Sequence, residues 1–421
     1  MSEPSGRKRI AFFAEVGMVG GAERFLRDLV HGLDRDRYDV EVICARNEAF
    51  DRFLRQDTAP RSFTMRALDL QTLATSRVFG NARALRRYPL LYRWRSIPKG
   101  LLRQANNLRN WPIIVRAVRE RAIDILHINN GGYPGGETCR LAALAARRAG
   151  IPLRVMTYHN LAEPLTFPKR LDRALDARVR SALQAVIAAS LASARSLRDV
   201  RAFPGAMPGV IPYGIAEPAR ASAERLGALR AELRLDGHQV VGSVGSFEPR
   251  KGQDVLVRAL PAIRALVPTA KVIFIGEGER RAAVQALAHE LGVGDAVTFT
   301  GHRQDVLDIM CAMDVLAVPS TAYESLPYVV LEAMAVGKSV VGTRVAGIPE
   351  AIEDGVTGTL VSPGDAAALA QALVAVLSDP ARARGMGAQG RKRYLDRFTL
   401  SRMLADFDLL YRAGEYSVAS A

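Results

Sequence analysis

The sequence predicts an α/β protein made of two successive doubly wound domains, each a parallel sheet covered by helices. Three observations carry this. The chain has 421 residues, 49% of them hydrophobic and only 6% aromatic, enough for two such cores and unlike a disordered or collagen-like composition. Short runs rich in β-branched residues alternate with longer stretches of helical periodicity, the pattern of parallel strands joined by crossover helices. That alternation halts in a stretch dense in turn formers, Phe203-Pro-Gly-Ala-Met-Pro-Gly209, and starts afresh at Gln239.

Taken in order, the first strand is Ile10–Ala14. Arg7-Lys8-Arg9 ahead of it imitates a secretory signal, but Glu15 interrupts an apolar run too short for a signal's hydrophobic region, so a buried strand is expected. Further strands follow at Val40–Cys44, Ile123–Ile128, Leu153–Tyr158 and Ala185–Ala189. The second series comprises Gln239–Gly245, Lys271–Ile275, Ala296–Thr300, Val315–Pro319, Ser339–Gly342 and Thr359–Val361. From about Tyr394 to Tyr411 the periodicity is helical, with Thr399 or Ser401 as a cap. The expected division is therefore 1–205, 206–395 and a closing segment 396–421, with the hinge in the turn-rich stretch. No internal repeat or low-complexity segment is present.

Cys44, Cys139 and Cys311 are odd in number, far apart and outside any metal-ligand spacing, so neither disulfides nor structural zinc are expected. No stretch approaches the roughly 18 to 20 apolar residues that span a bilayer, and a cytoplasmic protein is expected. The formal net charge of +15 demands an anionic partner. Its basicity is concentrated in the region 51–121, where no acid occurs between Leu70 and Arg119 while Arg77, Arg83, Arg86, Arg87, Arg93, Arg95, Lys99, Arg103, Arg109 and Arg116 recur. Tyr88, Leu90, Leu91, Tyr92, Trp94, Ile97, Leu101, Leu102 and Trp111 interleave with them, a composition suited to a lipid headgroup layer. A solvated basic hairpin has the same composition. Nucleic acid is not the expected partner, for no recognised motif is present and aromatics for stacking are few outside 88–111.

Three loops could carry chemistry. After the first strand, Gly17-Met-Val-Gly20-Gly21 opens an amphipathic helix, an arrangement that turns backbone N–H groups toward an anion. After the first strand of the second domain, Ser246-Phe-Glu-Pro-Arg250-Lys251-Gly252 places a lysine that can supply a point charge to a diphosphate. In Val318-Pro-Ser320-Thr-Ala-Tyr-Glu324-Ser-Leu326-Pro327, a strand gives way to a helix, expected to run to Gly337, that carries Glu332. Glu324 then lies at the carboxyl edge of the sheet, where open α/β sheets bind ligands. Taken singly, glycines punctuate most strand-to-helix turns, a surface lysine at a helix start is as good a reading of Lys251, and two glutamates eight positions apart, one of them partnered on a buried helix face, are common by chance.

In combination these segments resemble the large family of retaining GT-B glycosyltransferases, "glycosyl transferases group 1", which carries a Glu-x7-Glu motif. The matching pieces also include Gly276-Glu-Gly278-Glu-Arg280, Thr343-Arg-Val-Ala-Gly347-Ile-Pro-Glu350, Asp354-Gly355-Val-Thr-Gly358-Thr-Leu360-Val361, and Arg397-Phe398 with the helix to Tyr411. The resemblance implies two Rossmann-like domains facing across a cleft, acceptor in the first and nucleotide-sugar donor in the second, with the last helix returning to the first. It assigns the ribose hydroxyls to Glu332, the donor sugar to Glu324, and the diphosphate to Lys251 with the Gly20-Gly21 backbone. Gly276, Gly278, Leu326 and Pro327 would complete the donor site, and His159 would be the histidine near the transferred sugar. His127 is a lesser candidate, of structural character. The family has an arginine where Ser246 stands, a departure for which Arg250, on the other side of the loop, is the candidate substitute, and a glycine pair where Ala346-Gly347 stands.

Sugar transfer passes through an oxocarbenium-like state with a departing diphosphate, for which clustered cations are the main need. No metal is expected: no Asp-x-Asp is placed on the nucleotide loops, and the other acids read as helix surface. Same-face attack is the expected route to retention, with covalent capture by Glu324 as the alternative. No cofactor beyond the donor is expected, with UDP favoured over GDP as its nucleotide. The expected acceptor is a lipid-linked sugar or nascent polysaccharide, as in cell-envelope glycan synthesis, on the cytoplasmic face of an anionic membrane. A nucleotide-sugar epimerase or phosphorylase of the same fold is one alternative. A catalytically inactive membrane-binding relative is another.

Overall fold

Lys8–Ala14 (β1) reads Lys-Arg-Ile-Ala-Phe-Phe-Ala, and its last five residues are buried on both faces, as a central parallel strand requires. The computed structural model describes residues 6–17, 19–56, 63–72, 96–164, 172–219 and 221–414, with side chains from Arg103 within the helix that opens at Ser96. Most of the basic, aromatic-laced window expected to meet a membrane, including Arg77 to Arg95 and Tyr88 to Trp94, lies outside the described residues.

The chain divides into two compact units, one of residues 1–211 with 404–421 and one of residues 212–403. In the first, Tyr38–Ala45 (β2), Thr64–Leu68 (β3), Ile125–Asn130 (β4), Leu153–Tyr158 (β5), Ala185–Ala188 (β6) and Gly209–Val210 (β7) join β1 in an all-parallel sheet. Its order is β3-β2-β1-β4-β5-β6-β7. Crossovers from β1 run one way to β2 and β3, and those beyond β4 run the other. The sheet therefore has its switch point between β1 and β4, with Ile10 paired to both Val40 and Ile125.

Helix α1 (Gly21–Gly32) buries Phe25, Leu26, Leu29 and Val30 against this sheet. The last helix of the chain, Leu400–Ala413, caps on Thr399, whose hydroxyl accepts from the Arg402 amide at 3.4 Å. From Leu404 onward it belongs to the first unit. Gly32 is what admits it: a Cβ there would stand 2.3 Å from a methyl of Leu404. Phe407 then packs on Phe25, the Tyr411 hydroxyl lies 2.5 Å from His127 Nδ1, and Tyr38 donates to Asp408 at 2.8 Å. Deeper in the unit Arg201, fully buried, donates through Nε to Asp176 at 2.8 Å, and the Tyr133 hydroxyl donates to the other oxygen of the same carboxylate.

The second unit repeats the plan. Gln239–Val244 (β8), Ala270–Ile275 (β9), Val297–Phe299 (β10), Val315–Val318 (β11), Ser339–Thr343 (β12) and Gly358–Val361 (β13) form a parallel sheet ordered β10-β9-β8-β11-β12-β13. Its switch point lies between β8 and β11. The expected fold class, two parallel-sheet Rossmann-like domains, is what the structure has, and every strand anticipated from the sequence is present to within a residue or two. Two strands were not anticipated, β3 and the two-residue β7. The helix after β11 is also shorter than expected, Tyr328–Ala335, with Pro327 at its N-cap.

Candidate functional site

The loop that leaves β8 is built to be rigid. Phe247 turns inward and packs on Phe274 and Phe299, with ring centroids 5.7 and 5.9 Å away. The adjacent loop after β9 lies against it backbone to backbone: Gly245 donates to Ile275 O at 3.0 Å and Phe247 to Glu277 O at 2.9 Å. Gly276 and Gly278 permit this approach, since a Cβ would lie 2.1 Å from Gly245 O at the first and 2.5 Å from Phe247 N at the second. Their place in the site is thus to hold the Ser246 loop. A single 3₁₀ turn, Pro249–Lys251, follows, and Gly252 then takes the left-handed conformation, φ +67°, to open the helix Gln253–Leu266.

From that turn two cations reach one point. Lys251 Nζ is 2.6 Å from Glu324 Oε1 and Arg250 Nη1 is 3.2 Å from the same oxygen, which also accepts from Ser320 Oγ at 2.9 Å. Glu324 comes from the loop after β11 and is buried, so its charge is held by three donors in a poorly solvated place. Its carbonyl accepts from Gly347 N at 3.0 Å, tying this loop to the one after β12. Glu248 accepts from Ser246 Oγ at 2.5 Å on one oxygen and from Arg250 Nε at 2.8 Å on the other. Burial raises the Glu248 carboxyl, but the Ser246 hydroxyl and the Arg250 guanidinium outweigh it and hold it below the usual carboxylate range.

The other anticipated residues of this unit flank that centre. Leu326 and Pro327 are buried behind Glu324, and Glu332 is half-buried in the second turn of the helix Tyr328–Ala335. Ala346, where the family has glycine, adopts φ +44°, a left-handed conformation that a β-carbon makes costly. The second unit thus brings Ser246, Arg250, Lys251 and Glu324 together at the carboxyl edge between β8 and β11, the place where open α/β sheets bind ligands.

At the corresponding switch point of the first unit Gly20, extended at φ −152°, caps α1, and its N–H is taken by Glu23 at 2.9 Å. His159 follows β5 and is 4% exposed, with its ring 4.8 Å from that of Phe25. Its Nε2 lies 2.7 Å from Asn129 Oδ1, and Asn129 Nδ2 in turn donates to Ala22 O at 3.2 Å. An amide oxygen only accepts, so Nε2 carries the proton. Burial pushes the imidazole down to about 3. His127 is buried too, with Nε2 2.8 Å from Thr157 Oγ1 and Nδ1 against Tyr411. Burial, with a smaller contribution from His159, pushes it to about 3 as well, which suits the structural character expected of it. Asp34-Arg35-Asp36, an Asp-x-Asp in sequence, sits in the turn before β2, at the opposite edge of the sheet from these loops.

Sequence reasoning did not single out Asn129, Glu248 or Ser320. Asn129 lies near the end of the wholly buried strand β4, a polar residue that such a strand retains only with partners, and this was the available signal.

The family model for Glycosyltransferase Family 4 matches residues 19–217 and that for Glycosyl transferases group 1 matches residues 238–379. The chain is 40% identical, over 176 residues, to a GDP-mannose-dependent alpha-(1-6)-phosphatidylinositol monomannoside mannosyltransferase of Mycolicibacterium smegmatis, a match covering 40% of this chain and 46% of that protein. It is 32% identical, over 285 residues and 63% of each chain, to a D-inositol 3-phosphate glycosyltransferase of Stackebrandtia nassauensis. The chain thus spans about half the length of the mannosyltransferase relatives it matches. Among solved structures, a glycosyltransferase from Rickettsia africae superposes with a TM-score of 0.78 at 17% identity, covering 97% of this chain and 98% of that one. Anabaena HepE in complex with UDP and glucose does so at 0.74 and 23% identity, covering 97% and 100%. At such identities these two bear on the fold alone.

Proposed function

The chain belongs to the glycosyl transferases group 1 family, with a Glycosyltransferase Family 4 domain ahead of it and the GT-B fold, and from that premise we propose that it transfers a sugar, with retention, from a nucleoside diphosphate sugar to a membrane-associated acceptor. The single observation that carries this reading is the convergence of Lys251 and Arg250 on one oxygen of Glu324 at the switch point of the second sheet. In glycosyl transfer the bond from the anomeric carbon to the diphosphate breaks, and negative charge grows on the departing phosphate. Two cations held in a fixed, poorly solvated place stabilise that charge in the transition state more than in the ground state. Glu324, already beside them, is placed to meet hydroxyls of the sugar, and Glu332 those of the ribose. His159, neutral at physiological pH, takes part as a hydrogen-bonding group rather than as a charged acid.

The acceptor proposed is a lipid-linked sugar or a growing polysaccharide at an anionic membrane face, within cell-envelope glycan synthesis. The charge and aromatic content of residues 70–119 support it. So does the described end of that segment, where Trp111, Pro112 and Val115 share an open groove of about 510 Å³ with Arg116, Arg119, Arg148 and one acid, Glu120, which pairs with Arg116. The relative from Mycolicibacterium smegmatis is named for a glycolipid acceptor, which agrees in class. Uridine is favoured for the donor from the family resemblance, whereas GDP-mannose stands in that relative's name. A panel of donors therefore includes both bases.

The test is nucleoside diphosphate release by the purified full chain from UDP- and GDP-sugars, with and without a bacterial lipid extract. Release from one donor that rises with extract is expected. Release from none in either condition would remove the reading, and conversion of a donor sugar to its epimer without acceptor would replace it by an epimerase.

A further inference from the structure

Arg250 and Lys251 are consecutive residues in a 3₁₀ turn, where neighbouring side chains leave the axis about 120° apart. Left to themselves they would point to different places. Yet Lys251 Nζ at 2.6 Å and Arg250 Nη1 at 3.2 Å meet the same oxygen of Glu324. The hold on Arg250 is Glu248. Its Oε2 accepts the Arg250 Nε–H at 2.8 Å while its Oε1 accepts from Ser246 Oγ at 2.5 Å. A carboxylate pinned at both oxygens cannot rotate, and a planar guanidinium fixed at Nε has its Nη1 aimed with it. The Tyr323 carbonyl, 3.3 Å from Nη1, completes the grip.

A serine at 246 is too short to reach a phosphate as an arginine would, but it is suited to locking Glu248. We propose that Glu248, clamped by Ser246, is a positioning residue that aims Arg250 beside Lys251 as the second cation for the donor's diphosphate. Arg250 thereby supplies from the far side of the loop the charge that position 246 lacks. Glu324 meanwhile holds the two cations together until the diphosphate engages them. This inference rests on the nucleotide-sugar reading of the same site.

The experiment is calorimetric titration of the full chain with UDP and GDP, and with UMP and GMP as references that lack the second phosphate. Arg250→Ala is expected to weaken the preferred diphosphate about tenfold or more, the range for a hydrogen bond to a charged group, while the monophosphate is bound as before. Glu248→Gln, which removes the charge but keeps the shape, is expected to show the same selective loss at about three- to fivefold. Arg250→Lys falls between wild type and Arg250→Ala. Ser246→Arg introduced into Arg250→Ala is expected to recover the diphosphate preference. Diphosphate affinity unchanged in both Arg250→Ala and Glu248→Gln would overturn the proposal, as would an equal loss for mono- and diphosphate, which marks mere damage to the loop. A wild-type chain that binds neither UDP nor GDP would instead sink the nucleotide-sugar reading, and this proposal with it.

Discussion

Lys251 and Glu324, 73 residues apart, meet at 2.6 Å, and the buried carboxylate fixes the ammonium at the carboxyl edge of the second sheet. Both sit on loops that the parallel sheet brings side by side, one after β8 and one after β11.

Removing the ammonium should stop the reaction without unfolding the chain. Lys251→Ala leaves Glu324 with Arg250 and Ser320, so no buried charge is stranded. Nucleoside diphosphate release is expected to fall by about a hundred- to a thousandfold, the cost of deleting one preorganised donor to developing charge. A melting temperature within a degree or two of wild type should accompany the loss.

Ala346 offers a gain. Its φ of +44° costs an L-residue roughly 1 to 2 kcal/mol, from which a glycine's greater freedom in the unfolded chain subtracts about 0.5 to 1. Ala346→Gly is therefore expected to stabilise the second unit by about 0.5 kcal/mol or slightly more, read as a higher urea midpoint at an unchanged slope.

The Arg201–Asp176 pair of the first unit should behave in the opposite way. Both residues are 1% exposed or less, and Asp176 also accepts from Tyr133. Asp176→Ala strands a buried phenol and leaves the buried guanidinium only the longer pairing with Asp172 at 3.6 Å, for which about 3 kcal/mol of destabilisation is expected. Urea unfolding monitored in the first unit would measure it, and a loss under 1 kcal/mol would contradict the pairing.

His127 and His159 make stability depend on pH. Both are held neutral when folded, with protonation pushed from 6.5 down to about 3 by burial. Above about pH 6.5 neither state binds the proton, and their contribution is fully present. As the pH falls below that, the unfolded chain gains protons that the folded chain refuses. Each histidine then removes about 1.4 kcal/mol per pH unit until the folded value is reached. Between about pH 6.5 and 5, ahead of most carboxylates, the urea midpoint should fall steadily, and His127→Gln should shallow that slope, with His159 and the half-buried His31, whose imidazole burial also lowers, keeping the rest.

The central strands were legible because β1, β8 and β11 carry apolar runs on both faces, and glycine or proline directly follows β4, β8 and β11. The strands missed lack that signal: β3 is an edge strand with Arg66 in its middle, and β7 is two residues long. The loops of the second unit could be located from glycine spacing, but the meeting of Arg250 with Glu324 could not. Nothing in a one-dimensional pattern says which side of a 3₁₀ turn faces a residue 74 positions on. His159 was legible as the residue at the end of β5. Its burial depends on Phe25 and Asn129, which only the folded sheet brings to it.

The packing of Phe407 and Tyr411 on Phe25 and His127 sets an order of events during synthesis. A ribosome completes the whole of residues 212–403 before it makes the segment from Leu404 that covers this part of the first unit. Until then the faces of α1 and β4 that receive those aromatics stay uncovered on a nascent chain, a long-range closure that is slow to form and prone to aggregate while open. Of the two units, the one whose translation starts earlier is thus not the first that can finish folding.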